Sequence, residues 1–299
     1  MAEALVVLAV ALGAGLVVAA ADSVVLHGAA AWSDPVRAGL RHLSTQPRRT
    51  LRPDVLLLRA GVVAVPVLAV LAAAVVPLGG QVLAPSSAEL VWFNAAEALL
   101  WAALWLVGWG PNAVYSLVGG YRFLAQGLAY ELPLMFALIT VGVGAGSLRV
   151  TDVVSAQQDL WFVVTMPVAF VVFLAGSAAF AFWGPFDPPV SADAGGGLLS
   201  DLAGADRLLV QLGRYVFLGV SAAMAAALFL GAGHGPWLPD TAWHAVKTLA
   251  VLAVLVTVGR RVPAIRPDRF VEVAWMVLVP LTLLQALVVS VLALAGVYR

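Results

Sequence analysis

The chain has 299 residues, 63% of them hydrophobic and 11% charged, with a mean hydropathy of +1.01. Soluble proteins average about 45–50% apolar and about 25% charged residues, so a water-soluble fold is excluded and a membrane-embedded chain is expected. Sixteen basic residues balance sixteen acidic ones, which argues against a nucleic-acid partner held by phosphate neutralisation, and with no cysteine the chain itself cannot ligate an iron–sulfur cluster through thiolates or form a disulfide.

Apolar runs of about 20 residues with few charges mark membrane helices. Eight such runs are read in chain order, at 4–22, 60–78, 89–109, 115–143, 160–183, 208–231, 241–259 and 271–295. They predict an all-α polytopic membrane protein, taken as one integral membrane domain over 1–299. The first run, Ala4 to Ala21, lacks a basic segment ahead of it and reads as a permanent span, although Ala19-Ala20-Ala21-Asp22 imitates a signal-peptide cleavage site. After it, Asp34–Gln46 (DPVRAGLRHLSTQ) sets Val36, Leu40 and Leu43 at helical spacing beside Arg37 and Arg41, the pattern of an amphipathic helix on the membrane surface. The connection Trp183–Asp206 combines prolines, a glycine triplet and four aspartates and is expected to be a loop, by composition a solvated linker rather than a site. Arginine sets the orientation, because basic residues collect in cytoplasmic loops. Arg37, Arg41, Arg48, Arg49, Arg52 and Arg59 follow the first span, and Arg260, Arg261, Arg266 and Arg269 follow the seventh. Eight crossings with both termini on the outer face of the cytoplasmic membrane satisfy this pattern, with Arg149 on the other side.

Two spans carry charges that need a protein or water interior. The fourth holds Arg122, Gln126, Tyr130 and Glu131, of which the first three follow an i, i+4, i+8 spacing and line one helical face. A functional ion path and a structural Arg–Glu pairing explain this stripe equally well. The seventh holds Lys247, and the third holds Glu97. Either can partner Arg122 or Glu131 across the bundle as a structural pair, or serve as a relay in which a buried carboxyl binds and releases a proton. The four histidines, His27, His42, His234 and His244, show no spacing for a shared metal. The glycines of Gly142–Gly146 lie in an apolar run with no preceding strand and are read as helix-packing residues.

The stretch Gly108–Glu131, GWGPNAVYSLVGGYRFLAQGLAYE, resembles the H-type membrane subunit of proton-pumping NADH:quinone oxidoreductases, the respiratory complex I family. The shared pattern is G-W-x-x-N-x-x-Y-x-L-x-G-x-x-R-x-x-x-Q-x-x-x-Y-E, met here by Gly108, Trp109, Asn112, Tyr115, Leu117, Gly119, Arg122, Gln126, Tyr130 and Glu131. Weaker matches follow in order, among them Gly146-Ser147-Leu148, Pro185-Phe186-Asp187, Tyr215, Lys247-Thr248, Asp268 and Trp275. The resemblance implies eight spans. It also implies a subunit that joins the membrane arm to the peripheral arm, helps to form the quinone chamber and begins a chain of buried acids for proton pumping. Flavin and iron–sulfur clusters would belong to partner subunits, with none bound by this chain, and quinone and membrane lipid are its expected small-molecule contacts.

The departures from the family pattern bear on that chamber. Where the family carries A-E-R-K after the first span, this chain has Ala21-Asp22-Ser23-Val24, and the basic segment that follows in the family is missing. Where the family has A-E-L-N-R-T, it has Ala179-Phe180-Ala181-Phe182-Trp183-Gly184, losing an acid and an arginine. The family's acidic loop is replaced by Pro188 to Ala194, leaving Asp193, Asp201 and Asp206 scattered. Asp22, Pro185, Phe186 and Asp187 are therefore the quinone-chamber candidates, and Glu131, Glu97, Arg122, Tyr130, Gln126 and Lys247 the proton-path candidates. No residue is assigned a catalytic role or a metal. The leading expectation is a divergent H-type subunit with complex-I-like membrane and peripheral partners. Its rivals are the membrane anchor of a related hydrogenase or cation-translocating complex without quinone reduction, and a stand-alone transporter, against which stands the lack of an internal repeat.

Overall fold

A helix satisfies its own backbone polar groups, which is the condition for crossing hydrocarbon. The computed structural model describes residues 2–78, 80–190 and 196–296. In chain order the helices are α1 (Ala2–His27), α2 (Asp34–Ser44), α3 (Val55–Ala73), α4 (Glu89–Trp109), α5 (Val114–Ala145), α6 (Val150–Ser155), α7 (Phe162–Thr165), α8 (Pro167–Phe180), α9 (Gly204–Leu230), α10 (Asp240–Arg261), α11 (Pro267–Val273) and α12 (Val279–Leu294). A π-helical turn, Ala274–Leu278, joins α11 to α12. The described strands are the two-residue pair β1 (Pro77–Leu78) and β2 (Gln81–Val82), antiparallel, in the connection after α3.

Among the described residues, seven helical stretches are long and apolar enough to cross a membrane: α1, α3, α4, α5, α9, α10 and Pro267–Leu294. The chain is thus an all-α polytopic membrane protein. The expected fifth crossing at 160–183 is not one helix. It breaks at Met166, whose backbone leaves the helical region (φ −130°, ψ 52°), because a proline clashes with a helical conformation in the residue before it. Pro167 then opens α8 at a position where its missing N–H costs nothing. Gln285 of α12 accepts from the Ala169 N–H at 2.6 Å and so satisfies a donor freed at the new helix start. At 1.5 Å per residue α8 is about 21 Å long, and α7 supplies the rest of the crossing. The second crossing also shifts: its helix begins at Val55 and the residues expected to complete it, 77–78, form β1.

The connections sort into two ends. At one, Asp54 N donates to Gly110 O, Asn112 Nδ2 to Arg52 O, Ser116 Oγ to Asp201 Oδ2, and Ile265 N to Pro185 O. At the other, Leu90 N donates to Leu148 O, Gln157 Nε2 to Ala227 O, and Gly231 N to Gln157 Oε1. The first end gathers the arginine-rich connections. Since α6 lies at the second end and Pro185 at the first, α7 and α8 together run between the two ends. Helix α2 lies at the arginine-rich end with Val36, Leu40 and Leu43 all exposed, as an interfacial helix requires. Helices α5 and α9 are the most enclosed of the long spans, and Pro267–Leu294 is the least.

Candidate functional site: a polar stripe from a folded loop to a buried pair of glutamates

The stripe on α5 begins at the arginine-rich end. Arg122 donates to the carbonyls of Pro188 (3.2 Å) and Gly196 (2.9 Å). One turn further, the buried Gln126 donates to Ala179 O (2.7 Å) and Phe186 O (3.1 Å). Both side chains thereby fasten the connection between α8 and α9 onto α5. That connection is not the solvated linker its composition implied, because Leu198, Leu199 and Leu202 are buried beneath it. A β-carbon on Gly119 would strike the Leu198 and Gly197 backbone, so the glycine of the Gly108–Glu131 motif is what lets this segment lie against the helix. Asp193 falls outside the described residues.

The quinone-chamber candidates meet beside this segment. Pro185 O accepts from Ile265 N at 2.7 Å, and the Phe186 ring packs edge-on against Phe270 with centroids 4.6 Å apart. Asp22, at the end of α1, is paired with Arg260 of α10, whose Nε donates to it at 2.6 Å. Arg214 of α9 donates to the carbonyls of Ala181 and Phe182 and has both Asp22 and Asp187 within electrostatic range. Trp183 lies between two guanidinium groups, Arg214 at 5.7 Å and Arg260 at 5.4 Å, distances at which the ring face attracts a cation. Its Nε1 donates to Leu255 O at 3.1 Å. Trp183 and Phe186 also wall an apolar cavity of about 240 Å³ that extends between α8 and α10 along Val171, Leu174, Ala178 and Leu255.

Further along the stripe, Tyr130 accepts from Trp101 Nε1 of α4 at 3.2 Å. Gly127 makes this possible, since a β-carbon there would stand 2.7 Å from the indole. Glu131 comes next, half-buried and seventeen residues into the 32-residue α5. Its Oε1 accepts from Asn94 Nδ2 of α4 at 3.3 Å. Glu97, one turn along α4 from Asn94 on the same helical face, is wholly buried. Neither Glu97 oxygen has a protein donor, nor does Glu131 Oε2, and no ion pair among the described residues joins a basic group to either acid. Of the two readings of the stripe, an ion path and an Arg–Glu pairing, the described contacts give Glu131 an Asn94 partner in place of an arginine.

Lys247 does not join this group. Its ammonium donates to the carbonyls of Leu230 (2.6 Å) and His234 (2.7 Å) at the far end of the bundle and stands 4.4 Å from the Trp161 ring centroid. It caps the C-terminus of α9, where carbonyls lack helical partners and a cation is favoured. The structure brings together nine of the ten candidate residues along one line from the arginine-rich end to the middle of α4 and α5. It adds Arg214, Trp183, Asn94 and Trp101, which the sequence pattern did not single out. Arg214 carried a usable signal, an ionisable residue inside a predicted span.

A family model described as NADH dehydrogenase matches residues 25–290. The H 1 subunit of the NADH-quinone oxidoreductase of Geobacter metallireducens is 35% identical over 231 residues, covering 74% of this chain and 70% of that protein. The chain belongs to this family. The H 1 subunit of Rhodopseudomonas palustris (strain HaA2) aligns at 35% identity over 80% of this chain and 75% of its own length. The corresponding protein of Geobacillus kaustophilus is 35% identical over 68% of this chain and 62% of its own length.

Proposed function

We propose that this chain is the membrane subunit of an NADH:quinone oxidoreductase in the cytoplasmic membrane, linking its peripheral electron-transfer arm to its proton-translocating arm. The observation that carries this reading is Glu131. A glutamate at mid-span that remains partly exposed, with one carboxyl oxygen buried and without a donor, cannot be left to hydrocarbon. A polar helix of a partner protein or a hydrated path must cover it. The stripe behind it leads back to the loop carrying Pro185, Phe186 and Asp187, so a change in that loop can reach the acids through Arg122 and Gln126. In this reading the quinone headgroup approaches the arginine-rich end near Asp22, Trp183 and Phe186, with the peripheral subunits seated over the same end. Glu97, Tyr130 and Glu131 form the proton-carrying part, and Lys247 holds the far end of α9. Hydride transfer, flavin and iron–sulfur clusters belong to the partners.

The loss of the family's basic segment after α1 and of its acidic loop favours one second reading, the anchor of a related hydrogenase or cation-translocating complex. The test is affinity purification of the tagged chain in mild detergent, with mass spectrometry of its partners and an NADH:quinone reductase assay on the same sample. Recovery with flavoprotein and iron–sulfur subunits and inhibitor-sensitive quinone reduction is the expected result. A nickel-hydrogenase large subunit without such activity would replace it with the second reading.

A further inference from the structure

We propose that the cavity between α8 and α10 takes an acyl chain of an anionic phospholipid from the leaflet at the arginine-rich end, with Arg261 as the cation for its phosphate. The cavity is bounded by two helical faces. On α8, Val171, Leu174, Ala175 and Ala178 follow an i, i+3, i+4, i+7 spacing, which is one stripe of a helix. On α10, Val254 and Val258 lie one turn apart on a second stripe. The backbones close up only at the arginine-rich end, where a β-carbon on Gly184 would stand 2.3 Å from the Gly259 Cα. Trp183, whose Nε1 donates to Leu255 O at 3.1 Å, forms the floor there. From that floor a gap of about 240 Å³ runs between the helices toward mid-span. Val171, Val254 and Val258 are exposed, so the gap opens sideways onto lipid.

A gap with such walls is not left empty. Apolar walls give water no partners, and an unfilled space forfeits dispersion contacts on both sides. A hydrocarbon chain from the surrounding bilayer satisfies both conditions, and Arg261 selects the kind. It follows Val254 and Val258 at i+7 and i+3, so it extends the row that forms the mouth of the gap. It is exposed and, among the described residues, has no acid in ion-pair range. Its neighbours differ: Arg260 is paired with Asp22, Arg266 with Asp268 and Arg269 with Glu272. An apolar gap that ends beside an uncompensated guanidinium complements a lipid with a tail and a negative headgroup, and guanidinium and phosphate match in a paired hydrogen-bond geometry. The isoprenoid tail of a quinone offers no charge to Arg261. Every group that forms the site belongs to this chain, so it depends on neither reading of the function above.

The test is photolabelling of the purified, assembled complex in phosphatidylcholine vesicles. The vesicles carry a trace of phosphatidylglycerol with a diazirine in one acyl chain, or of phosphatidylcholine labelled in the same way, and the label is mapped on peptides. Label on 171–178 and 254–258 is read relative to label on the exposed face of α12. The expected result is a preference for phosphatidylglycerol of about fivefold, the factor that about 1 kcal/mol per arginine near an anionic headgroup layer confers. Arg261→Gln should abolish the preference and leave labelling by phosphatidylcholine in place. Ala175→Phe fills the gap and should remove label from both lipids; Val258→Phe closes it from α10 and decides the matter if the first variant fails to assemble. Wild-type label that does not distinguish the two lipids, or an Arg261→Gln protein that keeps the preference, overturns the anionic lipid. Label that survives both fillings overturns the cavity as its place. A long-chain quinone that displaces the label would make the occupant a quinone tail and overturn the phospholipid. Recovery of the chain with hydrogenase partners would overturn the function proposed above while leaving the labelling as it is.

Discussion

Helix α4 carries two buried glutamates about two turns apart, and they are held in opposite ways. Glu89 is 1% exposed, and each of its oxygens takes a backbone N–H, Oε1 from Ser86 at 3.1 Å and Oε2 from Val150 at 2.7 Å. Glu97 is 0% exposed and has no protein donor at either oxygen. The first arrangement ties the start of α4 to the start of α6 through one carboxylate. Complete hydrogen bonds hold a buried polar side chain in place, and Lys247 with its two carbonyls is a second case. The second arrangement leaves a buried carboxyl with neither oxygen served by the protein. Burial alone does not separate structural from functional charges in this bundle, whereas the kind of partner does.

The comparison breaks most easily at Glu89. Glu89→Ala strips acceptors from two N–H groups, and leaving a buried donor unmade costs about 1–3 kcal/mol each, a large share of a typical stability margin. The expected outcome is a sharp fall in the yield and thermal midpoint of the assembled protein, with Glu89→Gln, which keeps one acceptor, falling between. Lys247→Met comes next. It keeps an apolar stem beside Trp161 but abandons the carbonyls of Leu230 and His234. Thermal stability should drop by about 1–3 kcal/mol, while protons pumped per electron in reconstituted vesicles stay unchanged. Glu131→Gln should reverse that split. Its amide keeps the Asn94 contact at little cost to assembly, yet pumping per electron falls because the group no longer titrates. A Glu131→Gln protein that assembles poorly and pumps normally per electron would place Glu131 with Glu89, among the structural charges.

How much of this was readable in the sequence depends on whether the partner is local. The crossings announced themselves through long apolar runs, and the Arg122, Gln126, Tyr130 face through its four-residue spacing. The break at Met166 was half visible, since Pro167 sits inside the run, but the Gln285 side chain that makes the break tolerable comes from 116 residues away. The acceptors of Arg122 and Gln126 are backbone carbonyls of Pro188, Gly196, Ala179 and Phe186. A carbonyl leaves no mark in a residue alphabet, so the fastened loop was not among the readings of the stripe, an ion path or an Arg–Glu pairing. The Asn94–Glu131 contact was hidden because only the packing of α4 on α5 brings the two together. Gly119 and Gly127 were visible as motif and as letter, while their reason, the approach of Leu198 and of Trp101, needed the fold.

The smallest effect is expected at Asp22, and it tests whether the comparison extends to the arginine-rich end. Asp22 and Arg260 form a short ion pair, but the side chains are 8% and 37% exposed, so solvent and salt reach the guanidinium. Pairs of this kind contribute about 0–1 kcal/mol. Arg260 also keeps its stacking on Trp183 at 5.4 Å whatever stands at position 22. Asp22→Asn retains an oxygen to accept from Arg260 Nε and removes only the charge. Its thermal midpoint should therefore lie close to wild type, and the remaining difference should shrink as ionic strength rises and screening shortens the reach of the lost charge. A loss as large as that of Glu89→Ala would mean that Asp22 also holds Arg214 in place through its charge. The arginine-rich end would then be built on fixed charges, like the far end, and the mid-bundle acids would stand alone as the part of the chain whose charge can change.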